Sequence, residues 1–187
     1  MENNKHRTIP HYIFPGRFQP FHNDHLRVVD TFMNLNPDAI LILAVVRNFI
    51  DEKIRDDFDK ISEEHFLPER NPFDSIQVLS MISALARHRF PKRIVTTLIP
   101  QPSSGTAWKL IRAMFPGKRI WLIQKREEKW DENKANFFSR MGDEVLKIPC
   151  PRSTNGKTIR EYLAAGNISA VKALVPPEVL NVIEEEI

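Results

Sequence analysis

The chain of 187 residues is long enough to bury one hydrophobic core, and its length predicts a single domain. Its 27 basic and 24 acidic residues give a net charge of +3 and are mixed along the sequence, so the composition does not favour a nucleic-acid-binding protein. One cysteine, Cys150, excludes an intramolecular disulfide and a thiolate metal cluster. The longest clean apolar run, 39–46, is too short to span a bilayer, and the first twelve residues do not resemble a signal peptide. We therefore expect a soluble cytoplasmic protein with neither nucleic acid nor membrane as a partner.

Short apolar runs rich in isoleucine and valine alternate with longer segments whose apolar residues recur every three or four positions. The runs predict five strands, at 11–14, 39–46, 93–99, 119–124 and 144–148. The longer segments predict helices, at 25–35, 73–89, 105–115 and 134–141. This alternation predicts an α/β fold with a doubly wound, parallel five-stranded sheet and helices on both faces.

Two segments depart from this alternation. The charged segment 51–71 lengthens the second crossover, and we interpret it as an insertion that is either a surface excursion or a lid over a site. After residue 150 the chain changes to three short helical stretches, separated by Gly-Asn and Pro-Pro. We therefore divide the chain into a core, 1–150, and a C-terminal helical subdomain, 151–187, which completes the site.

The segment FPGRFQPFHNDH, residues 14–25, is the strongest candidate for a site. Ligands of open parallel sheets bind beyond the carboxyl ends of the strands, and this segment leads from the first strand through a Pro-Gly turn into a helix. We expect Asn23 to cap that helix, with His22 and His25 on one side of its first turn. Backbone amides, two imidazoles and Arg17 would then converge on an anion such as phosphate. Incidental histidines are the alternative, whereas a metal site would need a third ligand.

The stretch GRFQPFHNDH resembles the signature GRFQPFHxGH of the HxGH nucleotidyltransferases, and in particular of the archaeal-type nicotinamide mononucleotide (nicotinamide-nucleotide) adenylyltransferases. Eight of the nine specified positions are identical. Later segments resemble motifs of that family in the same order: NPFDSIQVLSMI at 71–82, GTAW at 105–108, NGKTIREYLAAGN at 155–167 and ALVPPEVLNVIEEE at 173–186. The resemblance implies a Rossmann-like fold and a homo-oligomer that is often hexameric. It also implies the reaction of ATP with nicotinamide mononucleotide to give NAD and pyrophosphate in the presence of Mg²⁺.

The resemblance further implies which side chains do the chemistry. The acceptor's phosphate oxygen attacks the α-phosphorus of ATP directly, so catalysis is alignment and charge neutralisation without a covalent intermediate. The implied catalytic residues are His22, His25, Arg17 and Arg160, and Mg²⁺ is held mainly by the triphosphate rather than by protein ligands. The implied ATP-binding residues are Phe14, Gly16, Arg17, His22, His25, Lys125, Asn155, Lys157, Thr158 and Arg160. The implied nicotinamide nucleotide-binding residues are Trp108, Phe18 and Arg47.

Aromatic and glycine positions can be assigned more closely. The indole of Trp108 would stack on the cationic nicotinamide ring, and its place just after the third strand favours the site over a core position. We expect Trp121 in the sheet core and Trp130 to be a half-buried helix or loop residue. Gly16 is expected where the backbone must approach a ligand closely.

Four departures from the family's pattern fall at ligand-facing positions. Asp24 replaces the glycine of HxGH and adds a negative charge near the triphosphate, and Val78 replaces an arginine. The segments 124–126 and 155–157 also differ, although Lys125, Arg126, Lys157 and Arg47 are candidates for restoring the lost cation. Two further interpretations therefore stay open: a sister enzyme that uses CTP or another phosphorylated acceptor, and a catalytically weakened nucleotide-binding sensor or regulator.

Overall fold

The structure is a computed structural model that describes residues 9–47, 68–102, 105–125 and 129–186. Most of the predicted insertion at 51–71 thus lies outside the described residues. The side chain of Trp130 lies outside them as well, so its predicted half-burial stays a prediction.

The described residues form one five-stranded sheet in which every neighbouring pair is parallel. Its order is β3-β2-β1-β4-β5. This confirms the predicted Rossmann-like α/β fold. The strands are β1 His11–Gly16, β2 Leu41–Arg47, β3 Ile94–Pro100, β4 Arg119–Lys125 and β5 Glu144–Pro149.

Helices connect the strands and continue after the last one. They are α1 Asn23–Leu35, α2 Ser75–Arg89, α3 Gly105–Met114, α4 Lys129–Arg140, α5 Gly156–Ala164, α6 Ile168–Lys172 and α7 Pro177–Glu186, and a short 3-10 turn, Pro68–Arg70, precedes α2. Helix α4 begins five residues before its predicted start at 134. Its first turn carries Asp131 and Glu132, which favour a helix N-terminus through the positive end of its dipole.

Strand β1 is longer than predicted, because Pro15 and Gly16 continue it and pair with Ala44 and Val45 of β2. The sequence suggested that these two residues turn the chain. Strand β4 pairs with β1 only as far as Ile13. Pro15 therefore lies where the strand is paired on one side only, and there its missing N–H is tolerated.

Apolar side chains cover both faces of the sheet, as a doubly wound arrangement requires. One cluster packs α1, α2 and the C-terminal helices against one face, and a second packs α3 and α4 against the other. Trp121 is fully buried in the second cluster, as predicted.

The C-terminal helices share the first of these clusters, to which α6 contributes Val171 and α7 contributes Val179 and Ile183. Arg89 of α2 also donates to the Glu178 carboxylate of α7 at 3.0 Å. The 151–187 segment is thus packed on the core, and its treatment as a separate subdomain stays a prediction.

The strand order fixes where a ligand-binding crevice lies. The chain proceeds outward in one direction from β1 to β3, and in the other through β4 and β5. The order therefore reverses between β1 and β4. The loops that follow these two strands flank the crevice typical of such sheets.

Candidate functional site

The loop after β1 turns sharply at Phe18, whose φ of 51° lies in the left-handed region. The N-cap of α1 is His22, with extended backbone, rather than Asn23 as expected. Asn23 instead bonds to the end of α6: its backbone N–H donates to Leu174 O at 3.0 Å and its side-chain amide to Ala173 O at 3.1 Å. The first turn of α1 is thereby held against the C-terminal segment.

The two histidines lie together at this turn, as the motif predicts. Their rings stack with centroids 3.7 Å apart, His22 is 4% exposed and His25 is half-buried. The backbone N–H of His22 donates to Nδ1 of His25 at 3.3 Å. A neutral His25 therefore carries its proton on Nε2, the tautomer that can donate to a phosphate oxygen from that atom.

Three phenylalanine rings surround His25. Its ring centroid lies 5.1 Å from that of Phe18 at 90°, 5.3 Å from Phe21 and 6.2 Å from Phe14. All three rings are at most 4% exposed, so they fix the imidazole from behind. Phe14 and Phe18 were predicted to bind ligand, and the structure gives their rings this packing role, leaving ligand contact a prediction.

Gly16 is constrained by the same packing. A Cβ at this position would lie 2.5 Å from Cε1 of the Phe18 ring, far inside van der Waals contact. We attributed Gly16 to close approach of a ligand, and the structure supplies a different requirement for its missing side chain.

A paired amide contact joins the β1–α1 loop to the segment before α2. Gln19, 5% exposed, donates from Nε2 to Phe73 O at 2.7 Å and accepts from Phe73 N–H at 3.1 Å. Arg17 donates to Asn71 Oδ1 at 3.4 Å. The NPF segment is thus part of the wall beside the histidines.

Four arginines gather at this end of the sheet. Burial and the nearby charges of Arg160, Arg47 and Arg70 lower the pKa of Arg17 to about 10. Burial and the charge of Arg70 likewise lower the pKa of Arg160, against a smaller opposing effect of Glu161. A bound polyanion would relieve this mutual repulsion, because each cation would gain an opposite charge.

The guanidinium of Arg47 donates hydrogen bonds to other groups of the protein. Its Nε donates to Ser75 Oγ at 3.0 Å, and its guanidinium lies 3.3 Å from Phe73 O and 3.4 Å from Asp74 O. Burial lowers its pKa, and Asp74 opposes this. These bonds connect the end of β2 to the start of α2. The predicted contact of Arg47 with the acceptor nucleotide stays a prediction.

Helix α5 presents Arg160 to the β1–α1 loop. Asn155 caps the helix by accepting from Thr158 N–H at 3.0 Å, and Arg160 Nη1 donates to Gln19 O at 2.8 Å. Lys157 is exposed and pairs with Glu161 at 3.7 Å, one turn along the helix. The predicted triphosphate residues of this segment therefore divide into a helix cap, an exposed lysine and one arginine that reaches the loop.

Asp24 does not face the histidine side. It is fully buried, and its Oδ2 accepts from Ser153 N–H at 3.1 Å and Thr154 N–H at 3.2 Å, while Oδ1 contacts Ser153 Oγ and Arg27. Burial opposes its charged form, but the bonds from Ser153 and Thr154 and the Arg27 charge prevail and lower its pKa. Asp24 thus remains a carboxylate at neutral pH.

Val78 and Lys125 are two further departures from the resembled pattern. Val78 is fully buried in the first core cluster, so no cation could occupy its side-chain position without disrupting that core. Lys125 is exposed at the end of β4, next to the crevice.

Trp108 lies in the core rather than on the open edge of the site. Its ring is 4% exposed, stacks near Trp121 with centroids 5.9 Å apart and meets Phe137 edge-on at 5.8 Å. The Arg112 guanidinium lies 5.8 Å from the same ring centroid. The expectation that it faces the site is not supported, and stacking on nicotinamide stays a prediction.

Two contributors were missed from the sequence. Arg70 was assigned to the insertion, yet its charge acts on both Arg17 and Arg160. Gln19 is part of the recognised motif, and its pairing with Phe73 was not anticipated because the partner lies 54 residues along the chain. Arg70 directly precedes the NPF segment in the run PERNPF, residues 68–73, and this position next to a recognised motif could have indicated that it belongs to the site.

Neither a membrane-spanning helix nor a cluster of metal ligands is found among the described residues. None of the helices there is long and apolar enough to cross a membrane. No group of three or more His, Cys, Asp or Glu in the same part of the chain could hold a metal ion.

Solved structures share the fold. A bifunctional NMN adenylyltransferase/ADP ribose pyrophosphatase from Francisella tularensis, complexed with AMP and an Mn ion, aligns with a TM-score of 0.56 and 16% identity over 85% of this chain and 42% of its own. A second structure of that protein aligns with a TM-score of 0.58 and 15% identity over 85% of this chain and 43% of its own. Thermotoga maritima TmcAL bound with alpha-thio ATP gives 0.61 and 10% identity over 95% of this chain and 56% of its own. At these identities the likeness shows the fold alone, and this chain spans about half the length of those proteins. No known family profile and no curated protein sequence matches the chain.

Proposed function

We propose that this protein is a nucleotidyltransferase of the HxGH superfamily that transfers AMP from ATP to nicotinamide mononucleotide, giving NAD and pyrophosphate. The observation that carries the proposal is the convergence, at the crevice beside β1, of His22 and His25 with Arg17, Arg70 and Arg160. Such a cluster of imidazoles and guanidinium groups suits a polyphosphate.

The residues of the crevice suit direct transfer. A phosphate oxygen of the acceptor is already an anion, so its attack on the α-phosphorus needs no side-chain base. A new oxygen–phosphorus bond forms as the bond from the α-phosphorus to the bridging oxygen breaks, and pyrophosphate leaves with that electron pair. Nε2 of His25 donates to a triphosphate oxygen, and Arg17 and Arg160 neutralise the charge that builds on the leaving group.

Mg²⁺ is the cofactor that we propose. The described residues offer no cluster of protein ligands for it, whereas triphosphate oxygens are the hard ligands that this ion prefers. The ion would therefore enter on ATP and supply further charge neutralisation at the leaving group.

A second acceptor is favoured by one specific observation. Trp108, which would stack on nicotinamide, is buried and already has Arg112 beside its ring. A sister activity that uses another phosphorylated acceptor, or CTP as donor, needs no such stacking. The sensor interpretation stays open, although Asp24, one of its two grounds, is paired with Ser153 and Thr154.

The test incubates the purified full chain with ATP, Mg²⁺ and nicotinamide mononucleotide. NAD is followed with a coupled dehydrogenase and pyrophosphate with a separate assay. We expect the two products in equal amounts. Pyrophosphate released only with a different phosphorylated acceptor, or with CTP, would establish the sister activity. If none of a broad panel of acceptors supported pyrophosphate release, the proposed enzyme class would be overturned.

A further inference from the structure

Asp24 occupies the position between the two histidines, where the resembled motif has glycine, and a glycine could make none of its side-chain bonds. The carboxylate accepts from both backbone N–H groups of Ser153 and Thr154 and from the Ser153 hydroxyl at 2.7 Å. Arg27, one turn along α1, contacts both the carboxylate and that hydroxyl.

The main chain of Asp24 makes contacts with the same region. Its carbonyl accepts from Cys150 Sγ at 3.3 Å and from Gln124 Nε2 of β4 at 3.3 Å. The first turn of α1 is therefore joined to the segment 150–154 through both backbone and side chain.

That segment leads directly into α5. Thr154 is followed by the cap residue Asn155, and Arg160 lies on the same helix. Arg160 in turn donates to Gln19 O, three residues before His22. The contacts thus form a closed path from the histidine turn through Asp24 to α5 and back to the loop.

We infer that Asp24 is a positioning residue, which holds the 153–154 segment and thereby fixes Arg160 relative to His22 and His25. The inference rests on the proposed function in that Arg160 is taken as a phosphate ligand. Loss of the Asp24 carboxylate would leave two backbone N–H groups without their acceptor and would free the start of α5 to shift. A shift on the order of 1 Å at a phosphate contact is enough to lower turnover by about 10²-fold.

The first test measures amide hydrogen exchange in the intact chain. In Asp24→Ala we expect exchange at Ser153 and Thr154, and in the first turn of α5, to accelerate by about tenfold or more. Asp30→Ala, on the same helix, is the matched control and should leave these amides unchanged. Unchanged exchange in folded Asp24→Ala would overturn the inference.

The second test asks whether Asp24 acts through Arg160. The affinity for inorganic triphosphate is measured by calorimetry in the wild type, Asp24→Ala, Arg160→Ala and the double variant. We expect Asp24→Ala alone to weaken binding by about tenfold and to add little once Arg160 is gone, as coupled residues do. Equal effects of Asp24→Ala in both backgrounds would overturn the inference.

A second variant and a binding measurement on the wild type separate failure of this inference from failure to fold and from failure of the proposed function. If Asp24→Ala does not fold, Ser153→Ala removes the contacts of the hydroxyl with Asp24 and Arg27 and leaves the two backbone N–H bonds in place. It should shift exchange and affinity in the same direction by a smaller amount; no shift overturns the inference. Triphosphate binding needs no turnover, so a wild type that binds triphosphate but releases no pyrophosphate contradicts the proposed function alone. A wild type that does not bind triphosphate contradicts both.

Discussion

The histidine turn, residues 17–25, and the first turn of α3 were both expected to face ligand, and they differ in what their surroundings do with polar groups. At the histidine turn, buried polar side chains such as Gln19 are paired, and charged groups converge. At α3, Trp108 lies in an apolar cluster of aromatic and aliphatic side chains, with Arg112 beside its ring. The sheet order explains the contrast, because β1 borders the switch point whereas β3, which precedes α3, is the edge strand two places away. A strand end close to the point where the strand order reverses is therefore a better site candidate than one at the edge of the sheet.

The largest expected effect tests the α3 side. Trp108→Ala should lower the free energy of unfolding by about 3–5 kcal/mol, as truncating a buried tryptophan commonly does. Denaturant unfolding measures it. Trp108→Phe, which keeps a buried ring, is the control and should lose much less. If Trp108→Ala instead kept its stability and lost affinity for nicotinamide mononucleotide, the two regions would both be ligand sites.

The next effect tests the histidine turn. His25→Ala should slow turnover by about 10²–10³-fold, because a donor to the developing charge is removed. Steady-state kinetics with pyrophosphate as product measures it, and unfolding curves check that the fold is kept. His88→Ala, which changes an exposed histidine of α2, should leave turnover unaltered. A higher KM for ATP with an unchanged kcat would argue that His25 only binds substrate.

A smaller effect concerns Arg70, the cation that the sequence did not identify. Arg70→Ala should weaken binding of inorganic triphosphate by about 1–2 kcal/mol. It should weaken binding of monophosphate by less, because a monophosphate carries fewer charges that interact with Arg70. Calorimetry with the two anions gives the difference, with Arg87→Ala as the control. A loss that did not depend on the number of phosphates would place Arg70 outside the anion site.

The smallest effect is one of pH. The pKa of Asp24 is lower in the folded chain than its ordinary value of about 3.9. A carboxylate of this kind stabilises the fold above its unfolded pKa, and the stabilisation is lost as the pH falls through the lower, folded pKa. The difference in unfolding free energy between the wild type and Asp24→Asn should therefore be full near pH 6 and shrink below about pH 4. A difference that stayed constant through the acid range would show that the charge of Asp24 does not stabilise the fold.

Local signals explain which features were predictable. Strands such as β2 are short apolar runs, and the motif at 14–25 predicts a strand followed by a helix that begins beside the two histidines, although β1 runs on through Pro15 and Gly16. The remaining features depend on partners far along the chain: Asp24 meets Ser153 and Thr154 across about 130 residues, and Arg17 meets Asn71 across 54. Trp108 could not be placed because successive side chains of a helix point in directions about 100° apart around its axis, and only tertiary packing decides which of them face the sheet.

Gly156 has a consequence for any attempt to diversify this protein. A Cβ on it would lie 2.8 Å from the backbone oxygen of Gln19 and 3.0 Å from Arg160 Nη1, so the helix start and the loop touch with no room for a side chain. Lys157, its neighbour, is exposed. In a saturation library selected for folded protein, position 156 should therefore return almost only glycine while position 157 accepts most residues, a mutational contrast between adjacent codons that requires no ligand to explain it.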